Sequence, residues 1–196
     1  MLENGYHDVP TGKVAMVVTY LQMFAPPAPR PAALPDGVQF RSVTADVVWF
    51  KDVFARVGAP WLWFGRLTYS DDALATVLMD PMVEHYTLRV DGQDEALLEL
   101  DFRQDSECEL SYFGLTEKLI GTGAGRFLMS EAIKAVWAKP IKRFFVHTCT
   151  IDSQQALSFY QRSGFTPYMQ KIEIDDDPRL TGHLSEDMAP HVPIIR

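Results

Sequence analysis

Cysteine is nearly missing from this 196-residue chain: Cys108 and Cys149 are its only two, and neither lies in a C-x-x-C pair. A disulfide framework is therefore excluded, and no His/Cys spacing has the form of a zinc site. Long apolar runs are missing too. The longest nearly uncharged stretch, Val14–Pro29, is interrupted by Thr19, Gln22 and three prolines and is too short to span a bilayer. The opening residues Met-Leu-Glu-Asn-Gly-Tyr-His-Asp lack the basic n-region of a signal peptide, so a cytoplasmic, reducing setting is expected. Positive charge is scarce, with 18 Lys+Arg against 26 Asp+Glu, a net of −8. That balance argues against nucleic acid, whose backbone needs a basic footprint, and suits a neutral or cationic partner. No G-x-S-x-G elbow occurs, so a serine-nucleophile triad is unsupported. There is no internal repeat.

What is present is a globular composition, 47% hydrophobic and 22% charged, enough for one core without staples. Val14–Met23 is β-branched and predicts a strand, on an edge of the sheet. Pro26-Pro27-Ala28-Pro29-Arg30-Pro31 and Pro35-Asp36-Gly37 follow as a stiff linker, giving an N-terminal unit over residues 1–37. Residues 38–175 read as the main domain. Val38–Val43 alternates as a strand; Thr44 or Asp46 caps a helix carrying Phe50, Val53, Phe54 and Val57; Ser70 starts another. Three strands, Val83–Val90, Glu95–Phe102 and Glu107–Leu115, form a meander turning at Asp91–Asp94. A helix over Ala124–Ala138, a buried strand Lys142–Cys149, a short helix Gln154–Ser163 and a strand Tyr168–Ile174 complete the order. Residues 176–196 form an acidic tail that either wraps the domain or frays. The fold class is α/β (α+β), hairpins early and a βαβ crossover late.

The segment carrying most chemistry is Ile120-Gly121-Thr122-Gly123-Ala124-Gly125-Arg126, between a strand and a helix start. Glycines let backbone approach a ligand closely, and a helix start offers free N–H groups to a phosphate or pyrophosphate. A Walker loop fails for want of its Lys-Ser/Thr. A dinucleotide fingerprint is weak because its third glycine position holds Arg126 and a meander precedes it.

With its flanks, the stretch Glu109–Phe165 resembles the core of the GNAT-type N-acetyltransferases. The run from Leu115 to Gly125 is similar to that family's strand end and pyrophosphate loop, [QR]-x-x-G-x-[GA], and Ala156–Phe165 (ALSFYQRSGF) to its A-x-x-[LF]-Y-x-x-x-G-F signature. Roughly a third of the chain carries the resemblance. It implies a mixed, mostly antiparallel sheet of six to seven strands flanked by about four helices. Two departures stand out. Ile120 occupies the usual Arg/Gln position, and Ser153 stands where many members have Asn.

The resemblance further implies acetyl-CoA as co-substrate and an amine acceptor, on a small molecule or a protein, with no metal; a homodimer is compatible with it. Phe113, Leu115, Ile120, Gly121, Thr122, Gly123, Ala124, Gly125, Arg126 and Ser153 are the expected cofactor contacts. Tyr160 is the expected acid for the leaving thiolate. Glu109, six residues before Leu115, is the expected base, with Asp101 or Glu99 raising its pKa or relaying. Strand alternation would put Glu107, Glu109, Ser111 and Phe113 on one face. Trp61, Trp63 and Phe64 would wall the acceptor pocket. A ping-pong route through Cys149 has no support, and His85 and His147 lack metal-ligand partners. The rival reading is an acyl-CoA-binding regulatory module that kept the cradle and lost turnover, which Ile120 and Ser153 motivate. An interaction role for the linker and tail is the third.

Overall fold

The computed structural model describes residues 3–30 and 32–196, so Met1, Leu2 and the linker's Pro31 lie outside the described residues. Local chemistry accounts for the helices. In α1 (Val47–Gly58) Phe50, Val53, Phe54 and Val57 recur at helical spacing and are all buried, and Asp46 Oδ1 accepts from the Trp49 N–H at 2.8 Å. Such a cap is worth about 1 kcal/mol. Ser70 caps α2 (Asp71–Leu78) in the same way. The longest helix, α3 (Ala124–Trp137), starts directly on the glycine loop, and α4 (Ala156–Arg162) is two turns long.

The strands are β1 (Lys13–Met23), β2 (Val38–Val43), β3 (Val83–Val90), β4 (Gln93–Asp94), β5 (Ala96–Asp101), β6 (Glu107–Leu115), β7 (Arg143–Cys149) and β8 (Thr166–Asp176). They make one sheet of order β2-β3-β5-β6-β7-β1-β8, with β4 on β3. The expected six to seven strands become eight because the Asp91–Asp94 turn contributes a two-residue strand. The β6–β7 pair, joined through α3, is parallel; every other pair is antiparallel.

The expected edge strand is not at an edge. β1 lies between β7 and β8, with Val18 opposite Cys149 and Lys13 opposite Asp176. Its alternation explains the position. Val14, Met16 and Val18 bury one face, while Leu21 and Met23 bury the other. The edge on that side is β8, exposed along nearly its whole length, and β2 is the opposite edge.

One core packs α3 and α4 against the sheet around Leu98, Leu110, Leu128 and Phe144; another packs α1 and α2 against the opposite face around Leu97. The C-terminal tail wraps rather than frays. Arg179 and Asp177 form a buried pair at 2.7 Å, Arg179 Nη1 donates to the carbonyls of Met188, Ala189 and Val192, and Ala189 joins Val14 and Met16 in a third cluster. Among the described residues no helix is long and apolar enough to cross a membrane.

Candidate active site

The site is built where two strands part. β6 and β7 pair only from Glu107 to Glu109 with Arg143 to Phe145; beyond, Leu110–Leu115 and Val146–Cys149 diverge. A cavity of about 770 Å³ fills the opening, and residues from both faces of the sheet line it.

A bulge in β6 helps to shape it. The β5 partners run Glu99 to Tyr112 and Leu100 to Leu110, which leaves Ser111 without an opposite residue. An extra residue reverses the facing of everything after it. The expected single face of Glu107, Glu109, Ser111 and Phe113 is therefore broken. Phe113 joins the α3–α4 side, stacked on Phe159 at 5.5 Å, whereas Glu109 stays on the other face. Gly114 lets β6 approach α1, since a Cβ there would stand 2.4 Å from Val57 Cγ1.

At one end lies the glycine loop. Gly121 and Gly123 have φ of +81° and +93°, a backbone that suits glycine, and the N–H groups of Gly121, Gly123 and Gly125 hydrogen-bond to no described residue. Thr122 Oγ1 donates to the Leu119 carbonyl and accepts from the Ala124 N–H. Thr122 and the fully buried Ala124 thus build the turn instead of lining the cavity. Phe113, Leu115, Ile120, Gly121, Gly123, Gly125, Arg126 and Ser153 all line it. Free N–H groups at the start of a helix form an anion cradle.

Tyr160 also lines the cavity, 7% exposed and edge-on to Phe113 and Phe165. Burial raises its phenol above the ordinary tyrosine value, so it holds its proton at any working pH. Cys149 lines the same wall, and burial pushes its thiol up to about 11, which keeps it protonated at neutral pH.

Glu109 reaches the cavity only through a neighbour. Its Oε1 lies 3.3 Å from His147 Nδ1, and His147, with 44% of its side chain exposed, is the residue in the wall. The bond to Glu109 raises the imidazole pKa above its usual value, against the opposing effect of burial. Nothing local in the sequence marks this pair: the residues are 38 positions apart and meet through the parallel β6–β7 register. The expected helpers of Glu109 are committed elsewhere. Glu99 bonds Arg66 at 2.6 Å and His85 at 3.1 Å, fully buried. Burial pushes the Asp101 carboxyl up, but the Arg103 guanidinium overcomes this and holds it below the usual range.

The Arg66–Glu99 bond anchors the aromatic segment that walls the far end. There Trp61, Trp63 and Phe64 line the cavity, and Trp63 Nε1 donates to Asp152 at 3.0 Å. Glu173 and Asp175, from β8, complete that wall. The far end is acidic and aromatic, and the near end is a nest of free amides. Among the described residues no three His, Cys, Asp or Glu side chains group to hold a metal ion.

The sequence matches no family model and no curated relative. The structure is similar to several solved ones. A GCN5-related N-acetyltransferase from Sphaerobacter thermophilus aligns with a TM-score of 0.64 at 13% identity, over 88% of this chain and 53% of that one. One from Kribbella flavida aligns at 0.54 and 17%, over 87% and 63%. A GNAT family acetyltransferase from Elizabethkingia anophelis, with acetyl-CoA bound, aligns at 0.51 and 19%, over 67% and 78%. The chain thus spans about half the length of the first and under two thirds of the second. At such identities the likeness is one of fold, and the fold is that of the GNAT acetyltransferases.

Proposed function

We propose that this chain transfers an acetyl group from acetyl-CoA to an amine of a small molecule or protein, directly and with no covalent enzyme intermediate. The observation that carries this reading is the parting of β6 from β7 after Glu109, opening onto a loop with three free N–H groups. A long amide-bearing arm ending in a pyrophosphate suits both parts: the arm fits between parted strands as an extra strand would, and the anion fits the helix start. Acetyl-CoA supplies the activated acyl carbonyl and a thiolate leaving group.

The chain's own residues do the rest. Backbone groups of Leu110–Leu115 that β7 leaves unpaired hold the arm and polarise the carbonyl, flanked by Phe113 and Leu115. Tyr160 gives its proton to the departing sulfur. His147 takes a proton from the acceptor's ammonium group, the amine so freed attacks the acyl carbonyl, and Glu109 acts as a positioning residue that holds the ring by Nδ1. Asp152, Glu173 and Asp175 around the far end, on a chain of net charge −8, favour a cationic acceptor. The raised Cys149 thiol supports direct transfer over a ping-pong route.

The test pairs calorimetry with thiol release. Acetyl-CoA should bind the wild-type chain, and thiol should appear only when an amine from a panel is added. Gly123→Val forces a β-branched residue into a left-handed backbone and should abolish binding in a folded protein. Wild-type affinity in that variant overturns the cradle; tight binding with no thiol release for any amine returns the regulatory-module reading.

A further inference from the structure

The acceptor wall has a second layer, and the C-terminal tail supplies it. Among the described residues none after Asp175 lines the cavity, yet the tail packs against residues that do. Met16, Val18, Leu62 and Ile151 line the cavity, and the same four share a buried cluster with Ala189, against which Leu184 and Val192 also pack. His191 closes the contact. Its Nε2 donates to the Ile151 carbonyl at 3.2 Å, and its ring stands edge-on to Trp61 with centroids 5.9 Å apart.

The tail is fastened at both ends. The Asp177 N–H donates to the Gly12 carbonyl at 2.9 Å, and the Gly12 N–H donates to the Ile195 carbonyl at 2.8 Å. Between them Arg179 gathers the carbonyls of Met188, Ala189 and Val192, which shapes the turn that reaches the wall. A second observation is independent of these bonds. Leu62 and Ala189 both have left-handed backbones, with φ of +54° and +48°, and both are buried. A residue other than glycine keeps that conformation only where its surroundings over-determine it. Asp91 and Ser106, which share it, sit in turns between strands. Leu62 and Ala189 instead meet in one cluster, one from the wall and one from the tail.

We propose that His191 is a specificity-determining positioning residue: by holding Trp61 and the Ile151 carbonyl it fixes the width of the pocket offered to the acceptor, and the tail sets which amines fit. This rests on the acetyl transfer proposed above. His191 stands outside the cavity wall, so its effect reaches the amine through Trp61 and Ile151. The glycine loop, Tyr160 and His147 make no contact with it, and the cofactor end is left as it is.

The test is made on the full chain with His191 replaced, an exposed position where folding should survive. In thiol-release assays His191→Ala should raise the KM for the best amine of a panel roughly tenfold, as one hydrogen bond and one ring contact are lost. Its preference for that amine over bulkier homologues should narrow, while acetyl-CoA affinity by calorimetry stays put. His191→Gln keeps a donor for the Ile151 carbonyl and should recover part of the loss. Hydrogen exchange reads the same coupling with no substrate present. The Leu62 and Trp63 amides, bonded to the Ala59 and Gly58 carbonyls, should exchange faster in His191→Ala. Faster exchange in a chain that acetylates no amine supports the held wall and refutes the transfer reading instead. Unchanged exchange at Leu62 and Trp63, an unmoved KM and amine preference, or a fall in kcat with KM unmoved overturns the proposal.

Discussion

Replacing Gly114 with alanine tests the close approach on which the opening between the strands depends. The new Cβ would stand 2.4 Å from Val57 Cγ1 and 2.9 Å from Trp63 Cη2. Neither neighbour is free to yield: Val57 is 1% exposed, and Trp63 is tied to Asp152. Overpacking of this kind costs about 1–3 kcal/mol. A chain of this length loses roughly 2–4 °C of Tm per kcal/mol, so a fall of about 6 °C is expected by scanning calorimetry. If Trp63 is the group that swings, it leaves Asp152 and the KM for the amine rises more than kcat falls. Val57→Ala alone opens a hole and costs about 2 kcal/mol. Combined with Gly114→Ala it supplies the missing space, so the double variant should be more stable than the sum of the singles by about 1 kcal/mol or more. Strict additivity, or an unchanged melting point for Gly114→Ala, would refute the reasoning.

Tyr160→Phe should lower kcat by roughly 10²-fold with little change in acetyl-CoA affinity by calorimetry, because only the transferable proton is lost. An unchanged kcat would make it a packing residue. For the base, Glu109 raises the His147 pKa, and a base works only when deprotonated, so the acidic limb of kcat/KM should lie above the ordinary histidine range of about 6.5. Glu109→Gln removes the cause and should move that limb to lower pH while lowering the plateau; an unmoved limb takes the role away from His147. In the tail, the bond to Arg179 holds the Asp177 carboxyl below its usual range despite burial. Its contribution to stability is therefore complete above about pH 4 and lost as pH falls through the lowered value. Arg179→Ala strands a buried carboxylate and should cost about 3–5 kcal/mol in denaturant melts at pH 7; a loss under 1 kcal/mol would show that the pair does not hold the tail.

The parts legible in the sequence were those whose chemistry is local. The glycine loop, the start of α3 and the place of Tyr160 on α4 depend on spacing within about a dozen residues, and the residues themselves state it. Three features were not legible because they arise from pairing across the chain. Alternation assumes an unbroken ladder, and nothing in ECELSYFGL announces that Ser111 bulges. A β-branched run predicts a strand but not its neighbours, so β1 looked like an edge until β7 and β8 closed on it. Glu109 and His147 meet only because β6 and β7 start in parallel register before they part. The proline run was legible as stiff, but its course over α3 depends on contacts with Ser130, Arg162 and Gly164 far along the chain.

The interior position of β1 has a consequence for how the molecule is made. During synthesis β1 finds its partners only when residues 143–149 and 166–176 have followed it. Until β1 pairs with it, β7, with Phe144, Phe145 and Val146, presents an open apolar edge where chains can misassociate. The β1–β8 pairing seats Met16 opposite Glu173 and Val14 opposite Asp175, so the acidic wall of the cavity exists only once β8 has joined β1.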